Sequence, residues 1–206
     1  CIGLYDEITF EESDKVEVIT DAPIPADLNL VTKAALLLKE FSGVIKGAKI
    51  TLKKNIPIAA GLGGGSSDGA NTLKGLNALW GLKLNSNELS RLAEKLGSDA
   101  PFFIGIPSAF VEGRGEKITP VKIKVSYSLL LIKPPFGVSS GWAYSEVKDY
   151  SQAVDFRQIL DLIEQGDFVS FRNTIKNDLE DPVIKKHPEI ADIKKALLER
   201  GALFSL

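Results

Sequence analysis

A glycine-rich segment is the part of this sequence whose residue types most directly indicate chemistry. Glycines stand at positions 61, 63, 64 and 65, and Ser66, Ser67 and Asp68 follow them directly. Glycine leaves the backbone free to adopt positive φ angles and to approach a ligand closely. An apolar helical pattern begins immediately afterwards, and the first amides of a helix lack partners within it, so they attract anions. The segment predicts a phosphate-binding loop, with a flexible linker or a tight turn as the alternative.

Two familiar phosphate-binding patterns do not fit this segment. The Walker pattern requires Lys and then Ser or Thr after its last glycine, whereas Ser66 follows Gly65 directly. The dinucleotide pattern G-x-G-x-x-G fails as well, because its sixth position is Ser66 when counted from Gly61 and Asp68 when counted from Gly63. The sequence therefore predicts neither a P-loop nor a Rossmann nucleotide site.

Charged and hydroxyl side chains flank the glycines. Lys53 and Lys54 end the preceding strand, and one of them could point at phosphates or nucleotide, although charge on an edge strand is the favoured interpretation of Lys53. Ser66 or Ser67 could ligate Mg²⁺, which prefers oxygen ligands, or could cap the next helix. Asp68 would repel phosphate, so we expect it to act as a cap or to face a nucleoside hydroxyl or amine.

The elements that position this loop can be predicted from apolar periodicity and capping residues. Asp27 is predicted to cap a helix that ends at Gly43, and Asn85 with Glu88 forms a possible capping box for another helix. The apolar run at residues 127–132 hardly alternates, which predicts a strand covered on both faces. Strands are predicted over residues 8–10, 16–19, 48–52 and 127–132, and a strand followed by a turn over residues 111–115. Helices are predicted over residues 30–41, 70–80, 85–96, 155–164, 167–175 and 188–200.

Four segments resemble one enzyme family. Residues 57–68, P-I-A-A-G-L-G-G-G-S-S-D, resemble the second motif of the GHMP kinases, which are named after galactose, homoserine, mevalonate and phosphomevalonate. Residues 27–31 (D-L-N-L-V), 96–103 (L-G-S-D-A-P-F-F) and 134–140 (P-P-F-G-V-S-S) agree with it. The resemblance covers nearly all 206 residues in register. The triple glycine followed by Ser-Ser-Asp is most similar to the branch that acts on diphosphocytidyl methylerythritol.

The resemblance implies a fold and an activity. The fold is α+β with two domains, a ribosomal-protein-S5-like domain over residues 1–122 and a ferredoxin-like domain over residues 123–206. The activity is transfer of the γ-phosphoryl group of ATP, with Mg²⁺, to the 2-hydroxyl of diphosphocytidyl methylerythritol in non-mevalonate isoprenoid synthesis. The partner is a small molecule, and the location is the cytoplasm, or the plastid in a plant or alga.

The resemblance also implies roles for individual residues. Asp99 matches the catalytic aspartate that accepts the hydroxyl proton, although Asp99 taken alone would read as a turn residue. Asn29 and Lys54 match positions near the adenosine. Ser140 and Tyr144 match positions that hold the cytidine end, with a buried aromatic as the alternative for Tyr144. The implied nucleotide-binding set is Asn29, Lys54, Pro57, Gly61, Leu62, Gly63, Gly64, Gly65, Ser66, Ser67 and Asp68, in which Ser66 and Ser67 are the candidate Mg²⁺ ligands.

The sequence departs from the family pattern in several places. Gly69 stands where the family usually has Ala, and Ser140 stands where Thr is more usual. Cys1 and Leu206 each fall inside a predicted strand or turn, so we expect both ends of the chain to be cut. The resemblance puts a lysine that partners Asp99 and a Gly-Tyr-His stretch before residue 1, and a glycine-rich motif after residue 206. A molecule without them is expected to be inactive.

Net charge, apolar runs and cysteine content exclude several classes of protein. The formal net charge is -2, from 25 basic and 27 acidic residues, which argues against a general nucleic-acid binder. No apolar run approaches the ~20 residues that span a bilayer. One cysteine excludes a disulfide framework and a zinc cluster, and His187, the only histidine, is expected in a surface loop. The alternatives that stay open are another GHMP kinase, of mevalonate or sugar type, and a non-catalytic nucleotide-binding fragment.

Overall fold

Contacts along the chain divide the protein into two units. The structure is a computed structural model that describes residues 1–115 and 117–206. Unit 1 comprises Cys1–Ile58 and Leu62–Lys122, and unit 2 comprises Ala59–Gly61 and Ile123–Leu206. The assignment of residues 1–122 and 123–206 to the two kinase domains stays a prediction.

A mixed β-sheet forms the frame of unit 1. Its strands are β1 (Glu7–Ser13), β2 (Val16–Thr20) and β3 (Gly47–Lys53), and their spatial order is β1-β3-β2. β3 runs antiparallel to β1 and parallel to β2. The strands predicted over residues 8–10, 16–19 and 48–52 are confirmed, but β1 and β2 are not paired with each other. The edge-strand interpretation of Lys53 is wrong, because β3 lies in the centre of the sheet.

Two long helices complete the core of unit 1. α1 (Leu30–Ser42) and α2 (Gly64–Leu79) pack against each other and against the sheet. On β3, Ala48, Ile50 and Leu52 are at most 1% exposed, so the predicted alternation buries one face of the strand. The helices contribute an apolar set to the same cluster, which includes Val31, Ala34, Ala35, Leu38, Ala70, Leu73 and Leu76.

The helix ends follow local hydrogen-bond rules. α1 begins after Asn29, whose side chain accepts the amide of Val31 at 2.9 Å, and it ends at Gly43 with φ 66°. The predicted cap Asp27 is wrong, because a cap must directly precede the first helical turn, and Asp27 lies two residues earlier in an exposed turn. α3 (Ser86–Glu94) begins with the predicted capping box of Asn85 and Glu88.

Three short elements follow α3 in unit 1. A short 3₁₀ helix (Ala100–Ile104) packs on α2 and α3. It is followed by β4 (Ala109–Glu112) and β5 (Lys117–Pro120), which pair antiparallel. The strand and turn predicted over residues 111–115 are confirmed, since the strand ends at Glu112 and a turn follows it.

Unit 2 is helical in its described residues. The helices predicted over residues 155–164, 167–175 and 188–200 are confirmed, and α4 and α7 were not predicted. Their bounds are α4 (Ser140–Glu146), α5 (Phe156–Gln165), α6 (Phe168–Thr174), α7 (Glu180–Lys186) and α8 (Glu189–Glu199). Of the helices in residues 1–115 and 117–206, none has the length and apolar character that crossing a bilayer requires.

The predicted strand over residues 127–132 is wrong. No strand is assigned there, and Leu130 is 73% exposed where two covered faces were expected. A strand exists only where a neighbour completes its ladder of hydrogen bonds, and the described part of unit 2 contains no strand to do so. The ferredoxin-like description of this unit accordingly stays a prediction.

Candidate phosphate site and buried ion triad

The start of α2 presents backbone amides that have no partner among the described residues. Gly63 is the N-cap and adopts the left-handed conformation with φ 66°, which glycine reaches without strain. The amide of Ser67 bonds to the carbonyl of Gly63 at 2.9 Å. Within the described ranges, no hydrogen bond reaches the amides of Gly64, Gly65 and Ser66. The cap alternative for the two serines is wrong, because both lie inside the first turn of α2. This turn can bind an anion through amides and the helix dipole.

Gly64 is the point at which α2 touches the end of β3. A Cβ atom on Gly64 would lie 2.9 Å from Cγ2 of Ile56 and 3.3 Å from Nζ of Lys54. The first distance is shorter than real carbon contacts allow, so only glycine permits this approach. Gly65 has more space, since a Cβ atom there would meet only Cδ1 of Leu30 at 3.6 Å.

Behind Gly64 lies an ion cluster that we call the buried triad: Asp6, Lys54 and Asp68. The Lys54 ammonium donates to Oδ2 of Asp6 at 2.5 Å and to Oδ2 of Asp68 at 2.8 Å. The three side chains are 3–8% exposed. Asp6 also accepts the backbone amides of Asn55 at 2.6 Å and Ile56 at 2.8 Å through Oδ1. The triad joins the segment before β1, the end of β3 and the first turns of α2.

The two carboxylates of the triad differ in their protonation behaviour. Burial raises the pKa of Asp6, but the Lys54 ammonium and the two backbone amides outweigh it, so the pKa lies below its usual value. Burial raises the pKa of Asp68 to about 6, and the nearby Asp6 carboxylate adds to the increase while Lys54 opposes it. Burial lowers the pKa of Lys54, but its two carboxylate partners reverse this and leave it raised. A single ammonium therefore faces two carboxyl groups, and Asp68 is the one of the two that takes up a proton more readily.

The triad changes the interpretation of two predicted nucleotide-binding residues. Asp68 is not a helix cap, because it lies within α2 and faces Lys54. Lys54 is not a free cation, because its ammonium is shared by two carboxylates. Asp6 was not anticipated, since its partner Lys54 is 48 residues away in sequence. No local sequence pattern indicates a contact between residues so far apart. The only signal was the position of Asp6 directly before a strand, which made it a candidate for a functional side chain.

Two cavities flank the end of β3 in unit 1. The larger, of about 520 Å³, is lined by polar groups that include Tyr5, Asp6, Ser67, Asp68, Asn71 and Lys74. The smaller, of about 270 Å³, is lined by residues that include Asp21, Pro23, Lys54, Asn55 and Pro57. The second cavity thus brings together Lys54 and Pro57 from the predicted nucleotide-binding set.

Asp99 lies on the loop between α3 and the 3₁₀ helix. Its side chain is exposed and makes no capping hydrogen bond. The 3₁₀ helix connects this loop to the start of α2, because a Cβ atom on Gly63 would lie 3.2 Å from the ring of Phe103. Gly115, which follows β4, packs on Ser98, the residue before Asp99. A Cβ atom on Gly115 would lie 2.2 Å from the carbonyl oxygen of Ser98. Asp99 and the free amides of α2 therefore belong to one packed assembly in unit 1.

Asn29 has a structural role in addition to its predicted one. It is 4% exposed and caps α1 through its carbonyl oxygen. The next residue, Leu30, approaches both Gly65 and Gly69. The beginnings of α1 and α2 are thus in contact, so Asn29 lies beside the phosphate loop.

Three of the predicted site residues, Gly61, Ser140 and Tyr144, lie in unit 2. Gly61 belongs to this unit, while Leu62 belongs to unit 1. Ser140 is the exposed first residue of α4, and Tyr144 on the same helix is 60% exposed, so the buried interpretation of Tyr144 is wrong. His187 lies in a loop as predicted, between α7 and α8, but its side chain is half-buried and stacks on Phe136 with ring centroids 4.0 Å apart.

The described residues contain no cluster of acidic, histidine or cysteine side chains that could form a metal site. Among residues 1–115 and 117–206, no group of three or more such side chains is arranged to hold an ion. The oxygen donors at the start of α2 are the hydroxyls of Ser66 and Ser67. Asp68, the nearest carboxylate in sequence, is held by Lys54.

Comparison with known proteins agrees with this geometry. A family model described as the GHMP kinases N terminal domain matches residues 29–105, which include the α2 loop and Asp99. A 4-diphosphocytidyl-2-C-methyl-D-erythritol kinase from Thermodesulfovibrio yellowstonii is 43% identical over 100% of this chain and 74% of its own length. The chain belongs to the 4-diphosphocytidyl-2-C-methyl-D-erythritol kinase family.

Further members of this kinase family support the assignment. The Symbiobacterium thermophilum member is 38% identical over 98% of this chain and 74% of its own length. A crystal structure of a 4-(cytidine 5'-diphospho)-2C-methyl-D-erythritol kinase superimposes with a TM-score of 0.74 at 30% identity, over 95% of this chain and 70% of that chain. The protein is thus a kinase with the α+β fold of the GHMP family.

Proposed function

We propose that this kinase transfers the γ-phosphoryl group of ATP to the 2-hydroxyl of 4-diphosphocytidyl-2-C-methyl-D-erythritol. The observation that carries the proposal is the packing of the Asp99 loop, through Phe103, against the helix start whose amides are free. Such an arrangement supplies the two things that phosphoryl transfer needs from a protein, which are placement of the phosphates and orientation of the attacking hydroxyl. The substrate is the one named for the relatives.

Residues 61–67 hold the ATP phosphates in this proposal. The amides of Gly64, Gly65 and Ser66 donate to phosphate oxygens, and the positive end of the α2 dipole adds to the attraction. Asn29, Lys54, Pro57 and Asp68 form the surroundings of the nucleotide. Lys54 acts here as a neutralised, buried group that shapes the site.

Asp99 is the proposed general base. Its exposed carboxylate can accept the proton of the 2-hydroxyl as the oxygen attacks the γ-phosphorus, and the bond to the β-phosphate oxygen breaks to release ADP. Mg²⁺ held by the hydroxyl of Ser66 or Ser67 together with phosphate oxygens would neutralise part of the phosphate charge. These hydroxyl donors suit that ion, whereas Asp68 is engaged by Lys54.

Unit 2 contributes the residues proposed for the cytidine end of the substrate. Ser140 offers a hydroxyl at the start of α4, and the exposed ring of Tyr144 offers a face on which cytosine can stack. The finer description of the fold, with a ribosomal-protein-S5-like domain over residues 1–122 and a ferredoxin-like domain over residues 123–206, belongs to the same proposal. The mixed β-α arrangement of unit 1 supports its first half.

The test is a kinase assay on the natural full-length protein. ATP and Mg²⁺ are supplied with 4-diphosphocytidyl-2-C-methyl-D-erythritol, mevalonate, homoserine or galactose, and ADP release and the phosphorylated product are measured. We expect turnover only with the cytidyl substrate, and a new phosphate on its 2-hydroxyl in the ³¹P spectrum. Turnover with an acceptor that lacks cytosine would assign another GHMP activity. Nucleotide binding without any turnover would assign a non-catalytic role.

A further inference from the structure

Asp6 makes more polar contacts than any role in sheet formation requires. It precedes β1, so its side chain does not belong to the strand ladder. Its carboxylate nevertheless binds the ammonium of Lys54 at 2.5 Å and the amides of Asn55 and Ile56 at 2.6 and 2.8 Å. Only 3% of the Asp6 side chain is exposed, and its bonds to Lys54 and to the Ile56 amide are partly buried, which strengthens these charge-assisted contacts.

The groups that Asp6 holds are the groups that touch the start of α2. Ile56 and Lys54 are the two side chains against which the backbone of Gly64 lies, at 2.9 and 3.3 Å from an added Cβ atom. Asp6 therefore acts on Gly64 through a short chain of contacts: carboxylate to Lys54 and to the Ile56 backbone, and from these side chains to Gly64. On the outer side, Asp21 accepts the amide of Lys54 at 3.1 Å and fixes the same segment.

We propose that Asp6 is a positioning residue for the nucleotide: it holds the segment of residues 54–56 in place, and this segment fixes the first turn of α2 for phosphate binding. The inference rests on the proposed function, because it takes phosphate as the ligand of that turn. Asp6 itself does not contact the phosphates, since its carboxylate would repel them. Its effect on them is conveyed entirely by the backbone of Gly64 and the residues behind it.

Asp6, and not Asp68, is the firm anchor of the triad. The Asp6 carboxylate accepts hydrogen bonds from three donors: the Lys54 ammonium and the backbone amides of Asn55 and Ile56. The Asp68 carboxylate accepts a hydrogen bond from the Lys54 ammonium. Asp68 is itself part of α2, so it cannot hold that helix from outside. Asp6 holds residues 54–56 through these hydrogen bonds, and the start of α2 packs against this segment at Gly64.

The experiment compares Asp6→Asn with Asp14→Asn in the natural full-length protein. Both substitutions remove one carboxylate charge, but Asp14 is exposed just after β1, at the opposite end of the strand. We expect Asp6→Asn to raise KM for ATP about tenfold or more, because it breaks the charge-assisted contact with Lys54. KM for the acceptor should stay within about twofold, and Asp14→Asn should change neither constant.

A purely structural role would give a different result. Partial unfolding lowers the active fraction, and thus the apparent kcat, without selectively raising KM for ATP. Should Asp6→Asn fail to fold, Asp6→Glu serves instead: it keeps the charge, but its longer side chain cannot keep all three contacts, so KM for ATP should again rise selectively. Unchanged KM for ATP in a folded Asp6 variant, or an equal rise in both KM values, would overturn the proposal. Loss of all turnover in the unmodified protein would instead refute the proposed function.

Discussion

The ring of Phe103 lies against Gly63, so that a Cβ atom on this glycine would come within 3.2 Å of the ring. Phe103 belongs to the 3₁₀ helix that begins directly after Asp99, and Gly63 is the residue from which α2 begins. One contact thus ties the proposed base to the proposed phosphate site. Both ends of this contact belong to unit 1, one in the 3₁₀ helix and the other at the N-cap of α2.

Replacement of the proposed base should abolish most turnover without unfolding the protein. Asp99→Asn keeps the shape of the side chain but cannot accept the hydroxyl proton, so we expect kcat to fall by ~10²–10⁴. KM for ATP and the unfolding midpoint should change little, because Asp99 is exposed and caps nothing. Steady-state kinetics and thermal unfolding test this, with Asp14→Asn as the matched charge control. Full activity in Asp99→Asn would remove this residue from the reaction.

Two adjacent glycines should respond differently to the same substitution. Gly64→Ala places a methyl group 2.9 Å from Ile56, so we expect a loss of about 1–3 kcal/mol in the free energy of unfolding. Gly65→Ala meets only Leu30 at 3.6 Å and should keep or increase stability, since alanine favours helix more than glycine. Chemical denaturation measures both. Equal effects of the two substitutions would contradict the close approach of α2 to the end of β3.

The buried triad predicts a pH dependence of stability that originates from Asp68. Its pKa is about 6 in the folded protein against an ordinary value of 3.8, so its stabilising contribution is complete below pH 3.8 and is lost as the pH rises through 6. Asp6 titrates below its usual value and Lys54 above its own, so neither changes charge in this window. Between pH 5 and 7 the free energy of unfolding should fall by about 1 kcal/mol.

Asp68→Asn tests this assignment directly. An amide cannot ionise, so the variant should lose the Asp68 part of the slope between pH 5 and 7. It can still accept from Lys54 and donate towards Asp6, and therefore should remain folded. Denaturation at pH 5, 6 and 7 is compared for the unmodified protein, Asp68→Asn and Asp14→Asn. A slope that persists unchanged in Asp68→Asn would assign the titration to a different group.

The exposed ring of Tyr144 should matter for the acceptor and not for ATP. Tyr144→Ala removes a face on which cytosine can stack, which we expect to raise KM for the cytidyl substrate about fivefold to a hundredfold. Tyr144→Phe keeps the ring and should stay within about twofold of the unmodified protein if stacking is the main interaction. Tyr150→Ala is the matched control, because Tyr150 is also exposed, at 71% compared with 60%, and lies in the same unit. A rise in KM for ATP alone would contradict the assignment.

Local features of the fold could be predicted because their determinants lie within a few residues. The capping box of Asn85 and Glu88 and the left-handed glycine at position 43 each involve hydrogen bonds to the nearest turn, so the sequence contains all the partners. The glycine-rich segment also indicated positive φ angles followed by a helix, which Gly63 and α2 show, whereas anion binding there stays a prediction. The alternation of Ala48, Ile50 and Leu52 likewise specified a half-buried strand.

Features that depend on distant partners were decided only by the tertiary structure. Insertion of β3 between β1 and β2 cannot be read from the spacing of those strands, because pairing is a choice among all available strands. The apolar run at residues 127–132 shows the same limit: its composition suits a strand, yet no described neighbour pairs with it. The chemistry of Lys54 was likewise decided at long range, because burial beside Asp6 and Asp68 turns an apparent phosphate-binding cation into the centre of a buried ion triad.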